Sequence, residues 1–219
     1  MWTPKDSCVY KLSTSLPRPF LGFDFDDTLV HLRTSKLRPN VKETLTTLSK
    51  DFNLVIFSNQ MGIQKNKTTH EKVRDTFDTF LETIDLPISV FYSTTADKYR
   101  KPNIGMYSLF QQLFHEDMQW YCGDACGRRR DFSNSDLYFA NNCGVQCRTP
   151  ENVFLSLENE ISLVKRSELY AQDQWVNGWN QNKTNLFQTT TPESLFLDEV
   201  FVLPTNKKPF VIMVGPQGS

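Results

Sequence analysis

An α/β fold, with a parallel sheet covered by helices on both faces, is what this 219-residue sequence predicts. Two observations carry the prediction. Apolar runs of strand length alternate with segments whose apolar residues recur at helical spacing, and polar, chemically unusual residues follow the strand runs one after another. Strand, helix, strand in alternation builds crossover connections, which place the strands parallel and the helices outside them.

The strand runs are 19–25 (PFLGFDF), 53–57 (NLVIF), 88–92 (ISVFY), 119–122 (QWYC) and 137–140 (LYFA). Between them, Val41, Leu45 and Leu48 stand at i, i+4, i+7. Val73, Phe77, Phe80 and Leu81 form a second stripe. Met106, Leu109, Phe110, Leu113 and Phe114 form the widest, starting just after Pro102. Such spacing gathers apolar side chains on one helix face and marks it as core. Ligands of parallel sheets bind beyond the carboxyl ends of the strands, and that rule directs the search for chemistry.

Hydrophobic residues make up 39% and charged residues 22%, an ordinary globular composition. With 24 basic against 25 acidic side chains, a protein that coats nucleic acid through a strongly basic surface is excluded, while a small basic groove is not. No apolar run is long enough to span a membrane, and the polar N-terminus lacks a secretory signal. A chain of this length needs no disulfides to hold a core. Its five cysteines therefore read as reduced thiols of an intracellular protein, nuclear or cytoplasmic. The pairs Cys122-x3-Cys126 and Cys143-x3-Cys147 have spacing that zinc tolerates. Their strand-like surroundings, QWYC and ANNCGV, favour small buried hydrophobes instead.

The first strand runs into Asp24-Phe25-Asp26-Asp27-Thr28. On an extended strand Asp24 and Asp26 point to the same side, roughly 7 Å apart. Carboxylates that close repel and want a cation, and Mg2+ prefers oxygen ligands. The second strand ends in Ser58-Asn59-Gln60-Met61-Gly62, whose hydroxyl, amide and backbone N–H groups suit phosphate oxygens. After the third comes Tyr99-Arg100-Lys101-Pro102, with a lysine placed to balance carboxylates and phosphate. The fourth ends in Gly123-Asp124, followed by Arg128-Arg129-Arg130-Asp131 and Asp136. A third acidic group there would complete an oxygen-rich Mg2+ site.

Taken in order, Asp24-x-Asp26-x-Thr28, Ser58, Lys101 and Asp124 resemble the four motifs of the haloacid dehalogenase phosphatase superfamily over roughly residues 20–150. The resemblance implies a Rossmann-like, haloacid dehalogenase-like sheet. It also implies an aspartyl-phosphate mechanism, with Asp24 as nucleophile and Asp26 as general acid and base. Ser58 and Lys101 would steady the phosphoryl group, and Asp24, Asp26 and Asp124 would hold Mg2+. Within the superfamily, the segments 57–63 (FSNQMGI), 99–102 (YRKP), 123–128 (GDACGR), 131–136 (DFSNSD) and 149–151 (TPE) look like the 3′-phosphatase domain of polynucleotide kinase/phosphatase. One departure is Asp27, where that family usually has glycine. Another is a basic insertion reduced to Arg129-Arg130.

The spacings bear on substrate. Only 29 residues separate Thr28 from Ser58 and 42 separate Ser58 from Lys101, too few for a cap domain. An uncapped crevice admits a polymer end. Lys65, Lys67, Lys98, Arg100 and Arg128–Arg130 fall in loops at the crevice side, where they could track a phosphate backbone. Phe132 or Tyr99 could stack a terminal base. Thr28, Asn59, Gln60, Arg100 and Arg128 are accordingly taken as substrate-binding candidates. The expectation is a monomeric Mg2+-dependent phosphatase that removes 3′-phosphate from nucleic acid ends, DNA foremost. Two alternatives stay open. One is an uncapped small-molecule phosphatase of the histidinol- or sugar-phosphate type, although residues 92–100 lack the Cys-rich zinc loop such relatives often carry. The other is an inactive end-binding module.

The resemblance also organises the remainder of the chain. Residues 1–158 read as the phosphatase domain, and 159–208, rich in Asn, Gln and Thr, as a linker or extension. Residues 209–219 (PFVIMVGPQGS) read as the first strand and an incomplete P-loop of a downstream kinase domain. Gly215 is the nucleotide-binding candidate there.

Overall fold

The computed structural model describes residues 1–159 and 161. The expected boundary at 158 lies beside the last described residues. Nearly all of the expected linker, the strand at 209–219 and Gly215 lie outside the described residues.

Seven strands form one sheet in the order β1-β2-β5-β4-β3-β6-β7. They are β1 (Thr3–Lys5), β2 (Cys8–Lys11), β3 (Phe20–Phe23), β4 (Asn53–Asn59), β5 (Ile88–Ser93), β6 (Met118–Cys122) and β7 (Gln146–Arg148). The five strands from β3 to β7 run parallel, while β1 and β2 add an antiparallel hairpin along β5. The helices are α1 (Val41–Leu48), α2 (His70–Ile84), α3 (Gly105–Phe114), α4 (Ser135–Asn142) and α5 (Pro150–Leu155).

Both faces are covered, which is why the central strands read as continuous apolar runs. In β4, Leu54 and Ile56 point into a core built with Val41 and Leu45 of α1, Phe77 and Phe80 of α2, and Phe154 of α5. Val55 and Phe57, one residue out of phase, enter a second core with Met106 and Phe110 of α3 and Phe139 of α4. The helical stripes expected from spacing are these packing faces, except that Leu113, expected in the stripe of α3, is exposed. Thr69 starts α2 by accepting from the Lys72 N–H, and left-handed Asp85 ends it.

One expected strand is a helix. Leu137–Ala140 lie inside α4, and all four are buried. A four-residue apolar run carries no periodicity that separates a buried strand from a buried helix turn. The strand in that region is β7, whose sequence, Gln-Cys-Arg, is too short and polar to announce itself. Cys143 thus caps α4 and does not sit in a strand. All five cysteines are free, four of them buried, and among the described residues they form no three-ligand cluster. The hairpin β1–β2 was also not foreseen. It is held by Trp2, whose ring packs edge-on to Tyr92 at 5.7 Å and whose indole N–H donates to Asp78.

The segment between β3 and β4 contains a loop, pinned by bridges Asp26–Val30 and Val30–Leu37, and then α1. Between β4 and β5 stand a loop and α2. Among the described residues, no helix is long and apolar enough to cross a membrane.

Candidate active site

The carboxyl ends of β3, β4, β5 and β6 all open on one edge of the sheet; Ser58 stands among the last paired residues of β4, and the loops after β3, β5 and β6 carry Asp24, Lys101 and Asp124. Strand β3 ends at Phe23, and the Asp24 N–H then donates to the Cys122 carbonyl at 2.7 Å, stitching this loop to the end of β6. Asp24 is buried, and its Oδ1 accepts from Lys101 Nζ at 2.5 Å. The same ammonium donates to Asp136 Oδ1 at 2.8 Å and to the Tyr121 hydroxyl at 2.7 Å. All three N–H donors of a lysine are thereby used.

Asn59 fixes where that lysine starts. Its amide accepts from the Lys101 N–H at 2.9 Å and donates to the Lys101 carbonyl at 3.1 Å. Asp26 sits apart: its Oδ2 accepts from the Gln60 amide at 2.8 Å, and the same nitrogen reaches Ser58 Oγ at 2.9 Å. Thr28, fully buried, lies 3.4 Å from Asp24 and 3.5 Å from Asp124. Asp27 has φ 53, the left-handed region that glycine enters most readily. Its carboxylate accepts from the Leu32 N–H at 3.0 Å, a local bond of the kind that lets Asp occupy such a position.

Carboxylate oxygens of Asp24, Asp124 and Asp136 lie within 4.8 Å of one another. The third member of this cluster is Asp136, whereas the expected set had Asp26. Asp136 is fully buried in the first turn of α4 and also accepts from the Ala125 N–H at 3.0 Å. Gly123 makes room for it, since a Cβ there would stand 2.4 Å from the Asp136 carboxyl carbon. Sequence reading noticed Asp136 without placing it, and missed Tyr121 altogether. Only packing of α4 against β6 shows that both face Lys101.

The charge balance of this pocket is unfavourable without a cation. Burial pushes the Asp24 carboxyl well up, and Asp136 and Asp124 add to the push against the opposing pull of Lys101. Burial and Asp136 likewise push Asp124 up to about 7. Burial raises Asp26 too, the Gln60 hydrogen bond holding it partly down. Lys101 moves the other way: burial alone would lower it, but Asp136 and Asp24 more than offset that and keep it charged. Hard oxygen donors with a deficit of positive charge fit Mg2+.

This has a consequence for pH. A carboxyl raised when folded contributes stability below its unfolded value, and that contribution is lost as pH rises through the folded value. For Asp124 the window runs from about 4 to about 7. In EDTA, the protein should lose thermal stability from this group between pH 5 and pH 8. Mg2+ favours the ionised cluster, so the rise in Tm on adding it should be larger at pH 8 than at pH 5. Equal rises would mean that the cluster does not bind the ion.

The remaining candidates divide. Lys65, Lys67, Lys98, Arg129 and Arg130 are exposed. Arg100 is partly buried, with one terminal nitrogen that has no hydrogen-bond partner. Arg128 is engaged within the protein, donating to Asp131, to Glu151 and to the Asp124 carbonyl. Tyr99 is buried and donates to Asp6, which leaves its ring no face for a base. Phe132 is 78% exposed in the loop beyond Asp131.

Comparison with known proteins bears on the family and the fold. Residues 19–154 match the model of the family described as polynucleotide kinase 3 phosphatase. The bifunctional polynucleotide phosphatase/kinase of Schizosaccharomyces pombe is 33% identical over 154 residues, covering 63% of this chain and 38% of that protein. The polynucleotide 3′-phosphatase ZDP of Arabidopsis thaliana is 31% identical over 163 residues, covering 61% of this chain and 24% of that one. The chain thus spans between a quarter and two fifths of the length of these relatives. Among solved structures, a provisionally assigned HAD-like phosphatase from Mesorhizobium loti superposes with a TM-score of 0.56 at 17% identity. It covers 65% of this chain and 78% of its own, and the likeness is one of fold.

Proposed function

The chain belongs to the polynucleotide kinase 3 phosphatase family, and from that premise we propose that it hydrolyses 3′-phosphate from nucleic acid ends through an aspartyl-phosphate. The observation that carries this reading is the buried Asp24 held at 2.5 Å by Lys101, with Asp26 two residues on and held separately by Gln60. Two carboxylates in different surroundings can take different roles.

Asp24 Oδ attacks phosphorus in line, and the bond to the 3′ oxygen breaks. Asp26, whose burial favours the protonated form, gives that oxygen its proton. It then takes a proton from the water that cleaves the acyl phosphate. General acid–base help of this kind contributes about 10²- to 10⁴-fold. Lys101 stays charged throughout, and its ammonium, held on Asp24, puts positive charge beside the nucleophile as the phosphoryl group is taken up. Ser58, Gln60 and Thr28 line the same space, and Asn59 sets the lysine backbone. Asp24 and Asp124, with Asp136 behind them, would hold Mg2+. When bound, the ion supplies positive charge to the phosphoryl oxygens.

Support for a polymeric substrate comes from the segments after β3 and β4, each a loop and one helix among the described residues, too short to add a cap domain. It comes also from the exposed Lys65, Lys67, Lys98, Arg129 and Arg130, and from the unpaired nitrogen of Arg100. Phe132 offers a free ring face to a base, an interaction of about 1–3 kcal/mol. The test compares kcat/KM for a 3′-phosphorylated oligodeoxynucleotide with that for sugar phosphates. The oligonucleotide should win by orders of magnitude. Phe132→Ala should raise KM for the oligonucleotide about 5- to 150-fold and leave hydrolysis of p-nitrophenyl phosphate unchanged. Equal use of both substrate classes would favour a small-molecule phosphatase.

A further inference from the structure

Glu151 closes the segment 149–151 and has no chemical role assigned above, yet it is bound to two loops of the site. It stands in the first turn of α5, where Thr149 caps the helix by accepting from the Asn152 N–H. Its Oε2 accepts from Arg128 Nη1 at 2.8 Å. Its Oε1 lies 3.8 Å from Arg38 Nη2 and 3.5 Å from Arg130 Nη2. Each of the first two arginines passes on to a main-chain carbonyl of a site loop. Arg38 donates to the carbonyl of Asp27, one residue after Asp26. Arg128 donates to the carbonyl of Asp124 at 3.2 Å. The link is further tightened by Asp131, which accepts from Arg128 Nε and from the Cys126 N–H.

The two loops leave the paired strands β3 and β6, and they are joined at their roots by the Asp24 N–H on the Cys122 carbonyl and by Thr28, 3.5 Å from Asp124. Glu151 adds a second bridge through two guanidinium groups of fixed planar geometry. It is only 21% exposed, and Arg128 9%, so solvent screens the pair weakly. Burial by itself would raise the Glu151 carboxyl, but the Arg128 guanidinium outweighs it and keeps the group ionised.

We propose that Glu151 is a positioning residue, which sets the spacing between the Asp26 loop and the Asp124 loop through Arg38 and Arg128. The inference rests on the phosphatase reading for its kinetic arm. In-line attack at Asp24 with proton transfer at Asp26 needs the two loops in register, and a misplacement near 1 Å costs about 10²-fold. Outer partners that orient metal ligands typically change metal affinity 10- to 100-fold when removed.

Glu151→Gln keeps the size and removes the charge. It should lower kcat about 10- to 100-fold with KM within twofold, equally on the oligonucleotide and on p-nitrophenyl phosphate. The Mg2+ concentration giving half the thermal stabilisation should rise about tenfold. Arg38→Gln, which breaks one of the two links, should do the same, and combining it with Glu151→Gln should cost less than the product of the two effects. A lower Tm with kcat and the Mg2+ midpoint unchanged would reduce Glu151 to a structural staple and overturn the proposal. A fall in KM at constant kcat would overturn it as well, showing that the arginines serve substrate and Glu151 competes for them. If Glu151→Gln does not fold, Arg38→Gln alone decides between these outcomes. If the wild-type chain hydrolyses neither substrate, the phosphatase reading fails, and the Mg2+ midpoint measured by thermal unfolding still decides the role of Glu151.

Discussion

Asp24→Asn should abolish turnover of a 3′-phosphorylated oligonucleotide, by about 10⁴- to 10⁶-fold, without weakening the fold. The two halves of this result have one cause. An amide has nearly the shape of the carboxylate and still accepts a hydrogen bond from Lys101, but it cannot displace an alkoxide from phosphorus. The rate therefore falls to what binding and fixed charges alone supply. Stability goes the other way because the Asp24 charge is held in a buried site beside Asp124 and Asp136, where burial and repulsion outweigh the attraction of Lys101. Removing one negative charge relieves that repulsion, and Lys101 keeps Asp136 at 2.8 Å. Thermal unfolding in EDTA should give a Tm equal to or above that of the wild type, and the gain from Mg2+ should largely vanish. A Tm several degrees lower would show that the Asp24–Lys101 pair is a net stabilising contact and that the charge argument is wrong. Residual turnover near the wild-type rate would remove Asp24 as nucleophile.

What could be read in the residues, and what could not, follows from where the information lies. Strands β3 to β6 are legible because both faces are buried, so almost every residue is apolar and the run stands out. Asp24, Ser58, Lys101 and Asp124 are legible because each follows such a run at the edge where ligands bind. The chain shows less where stability comes from pairing. The hairpin Thr3–Lys11 contains a proline and exposed residues, and it exists because its second strand completes β5 and Trp2 covers Tyr92 and Phe77. Helix α4 does not announce itself as a helix because Leu137–Ala140 are apolar for a tertiary reason, being packed against one face of β6 and β7. The same packing hides Asp136 and Tyr121, which are far from Lys101 in sequence. The side-chain alternation that put Asp24 and Asp26 on one side held for a strand, but the strand stops at Phe23. Beyond it the two carboxylates find separate partners, Lys101 and Gln60. Arg128 looked like a free cation for substrate, and its commitment to Asp131 and Glu151 depends on a helix 23 residues further on.

Lys101→Met is the sharper test of how the site is held, because it should damage stability and activity together. The lysine is buried and, among the described residues, is the only cation hydrogen-bonded to Asp24 and Asp136. Methionine matches its length and packs well, so no cavity arises, and the change isolates the charge. It leaves two buried carboxylates and the Tyr121 hydroxyl without their donor. Breaking a buried pair in this way typically costs about 3–5 kcal/mol. For a domain of this size that is a fall in Tm on the order of 10 °C, alongside a loss of phosphatase activity. Asp136→Asn added to Lys101→Met should recover part of the lost stability, since it takes away one of the stranded charges, and should recover no activity. Mg2+ should also stabilise the single variant more than it does the wild type, because the ion becomes the only cation left to the cluster. The opposite pattern, with Lys101→Met as stable as the wild type in EDTA, would mean that the buried Asp24 carboxyl is protonated in the resting protein. The lysine would then act only when phosphate and Mg2+ arrive.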